Sequence, residues 1–270
     1  MEKHHIHLVS DSTGETVGGV VRACLAQFDE VNIQQHPWGL VRTEGQLERV
    51  IEGIKANPGL VIFTLVDQDT RKKLENECKI ANIEYVSVLD PVMNSMSLLF
   101  KSNIKAMPGK QHVLDNDYFK RIDAMDFTLS HDDGILADDL GDADIILVGI
   151  SRTSKTPTCM YLANKGLKAA NIPMVPGIPL PEILFDLTKP LIVGLTKDAM
   201  SLTEIRRSRL RFLNQNDDTD YADPNKVHEE IRMARKLFSR YSWPVVDVTK
   251  KSIEEASAAI IQLYEKKKNT

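Results

Sequence analysis

The sequence predicts an α/β protein in two parts, each built on a parallel sheet. Three observations carry that prediction. Short runs of β-formers alternate with amphipathic helical stretches nearly from end to end, the rhythm of parallel strands joined by covering helices. Leu60–Val66 is almost continuously apolar, as a strand buried on both faces is. An irregular stretch from Asn94 to Gly141, with a turn at Pro108-Gly109, separates two such series.

The elements follow in order. Ile6–Ser10 reads as a short strand. Thr16–Phe28 reads as a helix, because Val17, Val20, Val21, Cys24, Leu25 and Phe28 share one stripe. Gly45–Lys55 is helical by the same test, with Leu47, Val50, Ile51 and Ile54 apolar. Leu60–Val66 is the next strand, Asp69–Ala81 a helix and Glu84–Leu89 a strand. Residues 1–105 are therefore expected to form a Rossmann-like domain. Residues 106–270 form the second part, in which Tyr118–Asp126 is helical and a new βα series starts at Asp144. Its first strand is Ile145–Val148 and its first helix Thr156–Lys165, with Gly166 as the stop. Pro173–Val175 and Leu191–Leu195 are later strands, separated by a structured loop at Pro176–Pro181. Val245–Val248 is the last strand. Ser252-Ile-Glu-Glu255 is a capping box opening a closing helix with Ile253, Ala256, Ile260 and Leu263 inward. No internal repeat is visible.

Composition narrows the function. With 34 basic and 38 acidic residues the formal charge is −4, which argues against a nucleic-acid binder working through a broad basic face. No apolar run approaches the roughly 20 residues of a membrane span, and the N-terminus lacks the apolar stretch of a secretory signal. Cys24, Cys78 and Cys159 are far apart and form no CxxC pair, so neither a zinc site nor a disulfide framework is expected. A reduced, cytoplasmic protein is the expectation.

The chemistry concentrates at Gly149-Ile150-Ser151-Arg152-Thr153-Ser154-Lys155-Thr156. The segment joins a strand to a helix and ends in a lysine and a hydroxyl, the layout of a phosphate-cradling P-loop. Successive backbone N–H groups can wrap a phosphate there, and the helix dipole adds roughly half a positive charge. Lys155 would neutralise phosphate oxygens and the Thr156 hydroxyl would hold Mg²⁺. Ser154 stands where the common pattern has glycine, and its Cβ narrows the loop's conformations. The alternative is a polar strand-to-helix turn with Pro157 in the first helical turn.

Other segments are weaker. Ser10-Asp-Ser-Thr-Gly-Glu-Thr16 also joins a strand to a helix and could bind an anion, but Ser12–Glu15 reads equally as a capping box. Asp132 and Asp133, in His131-Asp-Asp-Gly134, could hold Mg²⁺ or take a proton from a hydroxyl nucleophile, or form a solvated turn. Arg207 and Arg211 fall four apart on one helical side and are candidates to contact phosphate, or a solvated basic face. Asp67, Asp90 and Asp247 each end or interrupt an apolar run; each resembles a metal-side Asp, and the strand-end turn residue is the favoured reading for any one of them. His4, His5 and His7 read as a solvated strand mouth.

Taken in order, His7-Leu-Val-Ser-Asp-Ser-Thr-Gly-Glu-Thr, Tyr118-Phe-Lys-Arg-Ile-Asp-Ala with His131-Asp-Asp-Gly, Gly149-Ile-Ser-Arg-Thr-Ser-Lys-Thr-Pro-Thr and Ile205-Arg-Arg-Ser-Arg-Leu resemble the pyruvate, phosphate dikinase regulatory protein family. The phosphoenolpyruvate synthase regulatory proteins are its close branch. The resemblance spans nearly the whole chain, and that family accepts Gly or Ser before the lysine. It implies a P-loop kinase-like second half and a bifunctional enzyme. One activity uses ADP to phosphorylate a dikinase threonine and inactivate it, with preference for a dikinase already phosphorylated on its catalytic histidine. The other removes that phosphate with inorganic phosphate and releases pyrophosphate. Lys155 and Asp132 or Asp133 would be catalytic, and Ser151 and Arg152 would touch phosphate. A homodimer is compatible with the chain. The rivals are a P-loop kinase of a small metabolite and a nucleotide-sensing regulator without chemistry.

Overall fold

The structure, a computed structural model, describes residues 3–110, 116–134, 139–216 and 219–269. The chain divides into two compact units, Met1–Val113 and Leu114–Thr270.

The first unit runs β1 (His4–Ser10), α1 (Glu15–Leu25), β2 (Ile33–Trp38), α2 (Glu44–Ala56), β3 (Leu60–Thr64), α3 (Gln68–Ile80), β4 (Tyr85–Ser87) and α4 (Asp90–Phe100). Its four strands are all parallel, in the order β2-β1-β3-β4. α2 and α3 cover one face, where Leu47, Val50, Ile54 and Leu74 pack on Val9, Val61 and Phe63. Val17 and Val21 of α1 cover Ile6 and Leu8 on the other.

The second unit runs α5 (Asn116–Ser130), β5 (Ile145–Ile150), α6 (Lys155–Asn164), β6 (Ala169–Met174), β7 (Leu191–Thr196), α7 (Ala199–Phe212), α8 (Pro224–Arg240), β8 (Val245–Asp247) and α9 (Ile253–Lys268), with short 3-10 turns between. Its sheet is parallel too, in the order β6-β5-β7-β8. One face is covered by α8, through Val227, Ile231, Ala234 and Phe238. The other is covered by α6 and α9, through Cys159, Leu162, Ala256 and Ile260. The fold is α/β with two parallel sheets, and the two sheets share one strand order although no sequence repeat announces it.

Several local expectations are corrected. β2 was not legible because Ile33-Gln-Gln-His-Pro-Trp38 is polar and holds a proline. It is an edge strand pairing only with β1, where a missing N–H is tolerated. β6 covers Ala169–Met174 rather than Pro173–Val175, and is likewise an edge. The Ser12–Glu15 capping box does not form. α1 begins after Gly14, at φ 85°, with no side-chain cap, and the buried Ser12 hydroxyl has no partner. The boxes at Thr43–Gln46 and Ser252–Glu255 do form. α8 was also missed. Asp223 caps it, Pro224 starts it, and its inward face follows helical spacing.

Candidate active site

β5 is the middle of its sheet, and all six of its residues are buried. The chain leaves its carboxyl end into the loop Ser151–Ser154 and then α6, so the loop lies where open α/β sheets place their ligands. Gly149 is required by packing: a Cβ there would sit 2.8 Å from the Leu195 carbonyl oxygen and 3.0 Å from Thr153 Oγ1. Thr153 is fully buried and donates to the Ile150 carbonyl at 2.9 Å, pinning the loop to its own strand. Arg152 and Ser154 adopt left-handed backbone, with φ of 70° and 62°. Ser154 is the N-cap of α6 and no side chain caps that helix. The loop therefore turns its backbone and the positive end of α6 toward a cleft of about 530 Å³, lined by Asp133, Ser151, Arg152, Ser154, Lys155, Thr156 and Asn171 among others.

Lys155 opens α6 and is 6% exposed. Its ammonium donates to the Ile150 carbonyl at 3.1 Å. Burial pushes its pKa down to about 8, against the pull of the Asp133 and Asp132 carboxylates. Next to it, Thr156 Oγ1 donates to Asp132 Oδ1 at 2.9 Å. Asn171, buried on β6, gathers the group: its Nδ2 lies 2.6 Å from Asp132 Oδ1, 3.1 Å from Asp133 Oδ1 and 2.9 Å from Thr156 Oγ1. The Asn171 amide oxygen, also buried, has no partner. The backbone N–H of Asn171 donates to the His131 carbonyl at 3.1 Å, which ties the acidic turn to the sheet. Asp133 itself is left-handed, at φ 52°. Asp132 is thus engaged by two donors, while the exposed Asp133 carboxylate lines the cleft.

The structure brings Gly149–Thr156 and the Asp132-Asp133 pair together. It does not bring Arg207 and Arg211 to them. Both lie on α7 as the spacing predicts, but Arg207 lines a separate cavity with Thr203, Glu204 and His228, and Arg211 is exposed in the last turn. The arginine that reaches the loop is Arg206, 1% exposed, with Nη2 3.4 Å from the Ser151 carbonyl. The sequence held a signal for it, since Leu202, Arg206 and Leu210 form one buried stripe four residues apart. Asn171 was equally readable as the polar residue inside Ala-Ala-Asn-Ile.

The remaining candidates have local duties. Asp67 caps α3, Asp90 pairs with Arg71, and Asp247 accepts from Thr249. His7 is buried, not solvated. It receives Trp38 Nε1–H at Nδ1, 3.2 Å away, and its Nε2 lies 2.8 Å from the Asn57 carbonyl. In the first unit, Ser10, Asp11, Ser12, Thr16, Thr64 and Lys110 line a cavity of about 250 Å³ at the carboxyl end of β1. Asp11 Oδ2 accepts the Val66 N–H at 2.7 Å, and burial pushes its carboxyl above the usual range. Among the described residues no three His, Cys, Asp or Glu side chains are grouped to hold a metal, and no helix is long and apolar enough to cross a membrane.

The family model described as Kinase/pyrophosphorylase matches residues 6–261. A pyruvate, phosphate dikinase regulatory protein, by name, from Paramagnetospirillum magneticum is 61% identical over 266 residues, 98% of this chain and 86% of that protein. One of the same name from Rhodospirillum rubrum is 54% identical over 97% of this chain and 95% of its own length. A solved structure, the A domain of carboxylic acid reductase from Segniliparus rugosus in complex with AMP and a co-purified carboxylic acid, aligns with 91% of this chain and 48% of its own, at 11% identity and a TM-score of 0.26; a likeness that distant bears on neither ligand nor mechanism. With the family model spanning nearly the whole chain and relatives above half identity, this protein belongs to the kinase/pyrophosphorylase family.

Proposed function

We infer that this protein regulates pyruvate, phosphate dikinase by two opposed phosphoryl transfers at one cleft. The observation that carries the reading is the convergence on that cleft of a phosphate-type loop, the buried Lys155 ammonium and the exposed Asp133 carboxylate. In phosphoryl transfer a protein mainly positions groups and offsets charge, and these residues are of the kinds required. The loop amides and Lys155 hold the β-phosphate of ADP. Asp133 takes the proton of a dikinase threonine hydroxyl, whose oxygen attacks the β-phosphorus. The bond to the α-phosphate oxygen breaks, leaving phosphothreonine and AMP. In the reverse regulation, inorganic phosphate on the same loop attacks the phosphothreonine phosphorus. The bond from that phosphorus to the threonine oxygen breaks, the oxygen takes back a proton from Asp133, and the pyrophosphate formed is released.

Asp133 is preferred to Asp132 as the base because it is exposed, lines the cleft and accepts only from Asn171, whereas Asp132 accepts from both Thr156 and Asn171. Thr156 Oγ1 and the Asp132 carboxylate, 2.9 Å apart, are the oxygens that would hold a hard divalent cation. Mg²⁺ bound there supplies charge neutralisation for the transferring group. The names carried by the relatives favour the dikinase over phosphoenolpyruvate synthase as target. The protein would act in the cytoplasm, a reducing compartment that suits the free Cys24, Cys78 and Cys159.

The test uses dikinase loaded with its phosphohistidine, this protein, Mg²⁺ and ADP labelled at the β-phosphate, with ATP as parallel donor. Label reaching a dikinase threonine from ADP, and pyrophosphate on later addition of phosphate, is the expected result. No transfer to dikinase or synthase, with ADP still bound, would reduce the protein to a nucleotide sensor. Transfer from ATP to a small alcohol would make it a metabolite kinase.

A further inference from the structure

A second set of contacts holds Ser151 and Arg152 of the phosphate loop. Tyr221, in a 3-10 turn between α7 and α8, places its hydroxyl 3.1 Å from Ser151 Oγ and 3.4 Å from Arg152 Nε. Arg206 lies over the Tyr221 ring, its guanidinium carbon 4.6 Å from the ring centroid, and donates to the Tyr221 carbonyl at 2.9 Å. Glu230 of α8 fixes that guanidinium through two bonds, of 3.0 and 2.7 Å. A paired, stacked and almost fully buried arginine is a rigid support for the ring it covers.

The direction of the hydrogen bonds matters. Arg152 Nε–H can only donate, so the Tyr221 oxygen accepts from it. Between Tyr221 and Ser151 either hydroxyl can donate, and donation from Tyr221 to Ser151 Oγ uses both sides of the Tyr221 hydroxyl. That leaves the proton of the Ser151 hydroxyl free to donate into the cleft it lines. We propose that Tyr221, held by the Arg206–Glu230 pair, is a positioning residue that presets the Ser151 hydroxyl as a donor, and the Arg152 guanidinium as a cation, for the phosphate taken up by the loop. The role deepens the function inferred above and rests on the same loop binding phosphate. The pairing has no local signature, because Tyr221 is 70 residues from Ser151.

Tyr221→Phe is the test, since it keeps the ring under Arg206 and removes only the hydroxyl. Binding of inorganic phosphate, and of ADP with Mg²⁺, is measured by calorimetry. KM and kcat are measured in both directions with dikinase. Loss of one such bond is expected to weaken phosphate and ADP binding about fivefold, raising both KM values alike with kcat changed less than about twofold. In a Ser151→Ala background the same change should weaken binding by less than half that factor, because the pair acts as a unit. Unchanged binding in Tyr221→Phe overturns the proposal, as does an equal factor in both backgrounds, or a fall in kcat at unchanged KM. So does a wild-type protein that binds neither phosphate nor ADP. If wild type binds phosphate but transfers nothing to dikinase, the inferred function fails while the calorimetric comparison still decides the role of Tyr221. A melting curve of Tyr221→Phe matching wild type confirms that the effect is local.

Discussion

The two units repeat one topology and place a strand-to-helix loop at the same point, the carboxyl end of the central first strand. The loops are alike in backbone. Gly14 and Ser154 both precede their helices in left-handed conformation, and neither helix has a side-chain cap. They differ in what their chains put around the turn. The second-unit loop carries Lys155, whose buried ammonium sits against the acidic turn and the cleft. The first-unit loop carries Asp11, whose carboxylate is consumed by the Val66 N–H. One fold and one backbone turn thus give a cleft with a buried cation in one case and a cavity with a buried carboxylate in the other. Topology supplies the position of a site, and one or two side chains decide its chemistry.

The comparison can be broken most directly at Lys155. Lys155→Ala should lower both transfer activities by about a thousandfold or more, with the circular dichroism of the folded protein retained. Full retention of either activity would remove the single-cradle mechanism. The next effect is on stability. Gly149→Ala places a methyl against the Leu195 carbonyl and should cost about 2 kcal/mol in denaturant unfolding. Gly14→Ala meets nothing closer than 4.0 Å and should cost only the left-handed backbone term, about 1 kcal/mol. Equal costs would show that close packing does not distinguish the two loops.

pH sharpens the contrast in charge. The Lys155 ammonium titrates at about 8, lowered from 10.5. Phosphate favours the charged form, so affinity should be full below about pH 8 and fall about tenfold per unit above it. The same shift acts on folding with the opposite sign. Between 8 and 10.5 the unfolded chain binds more protons at this lysine, so its contribution to stability rises with pH across that window. Calorimetric titration of phosphate on both sides of pH 8 checks the first statement, and a Lys155→Arg variant, always charged, should lose the alkaline fall. The smallest effect is expected at Ser154→Gly. It relieves a left-handed Cβ but loosens the unfolded chain, so stability should shift by less than about 1 kcal/mol, with activity kept. A large loss of activity would give the Ser154 side chain a role that its backbone does not explain.

The sequence by itself determined the class of the fold and the core of the site. Apolar runs of β-formers give buried strands wherever they occur, so β1, β3, β5 and β7 were legible. The Gly149–Thr156 spacing fixes a loop between strand and helix whatever surrounds it. These are short-range effects, decided by backbone propensity and by which residues must leave water. Of the edge strands, β4 and β8 were legible as apolar runs, but β2 escaped and β6 was misplaced, because a proline in a strand is acceptable only at an edge and being an edge is a fact about neighbours. The same holds for the working partners. Asp132, Thr156 and Asn171 come from three elements, and a hydrogen bond of 2.6 Å between residues 39 apart has no local signature. Arg206, Arg207 and Arg211 are alike in kind, and the spacing that puts Arg206 in line with Leu202 and Leu210 is a hint, not a decision. Only packing decides which of them loses its water, and a buried guanidinium without Glu230 and Tyr221 would be too costly to keep. Tertiary structure chose the arginine because it alone could supply those partners.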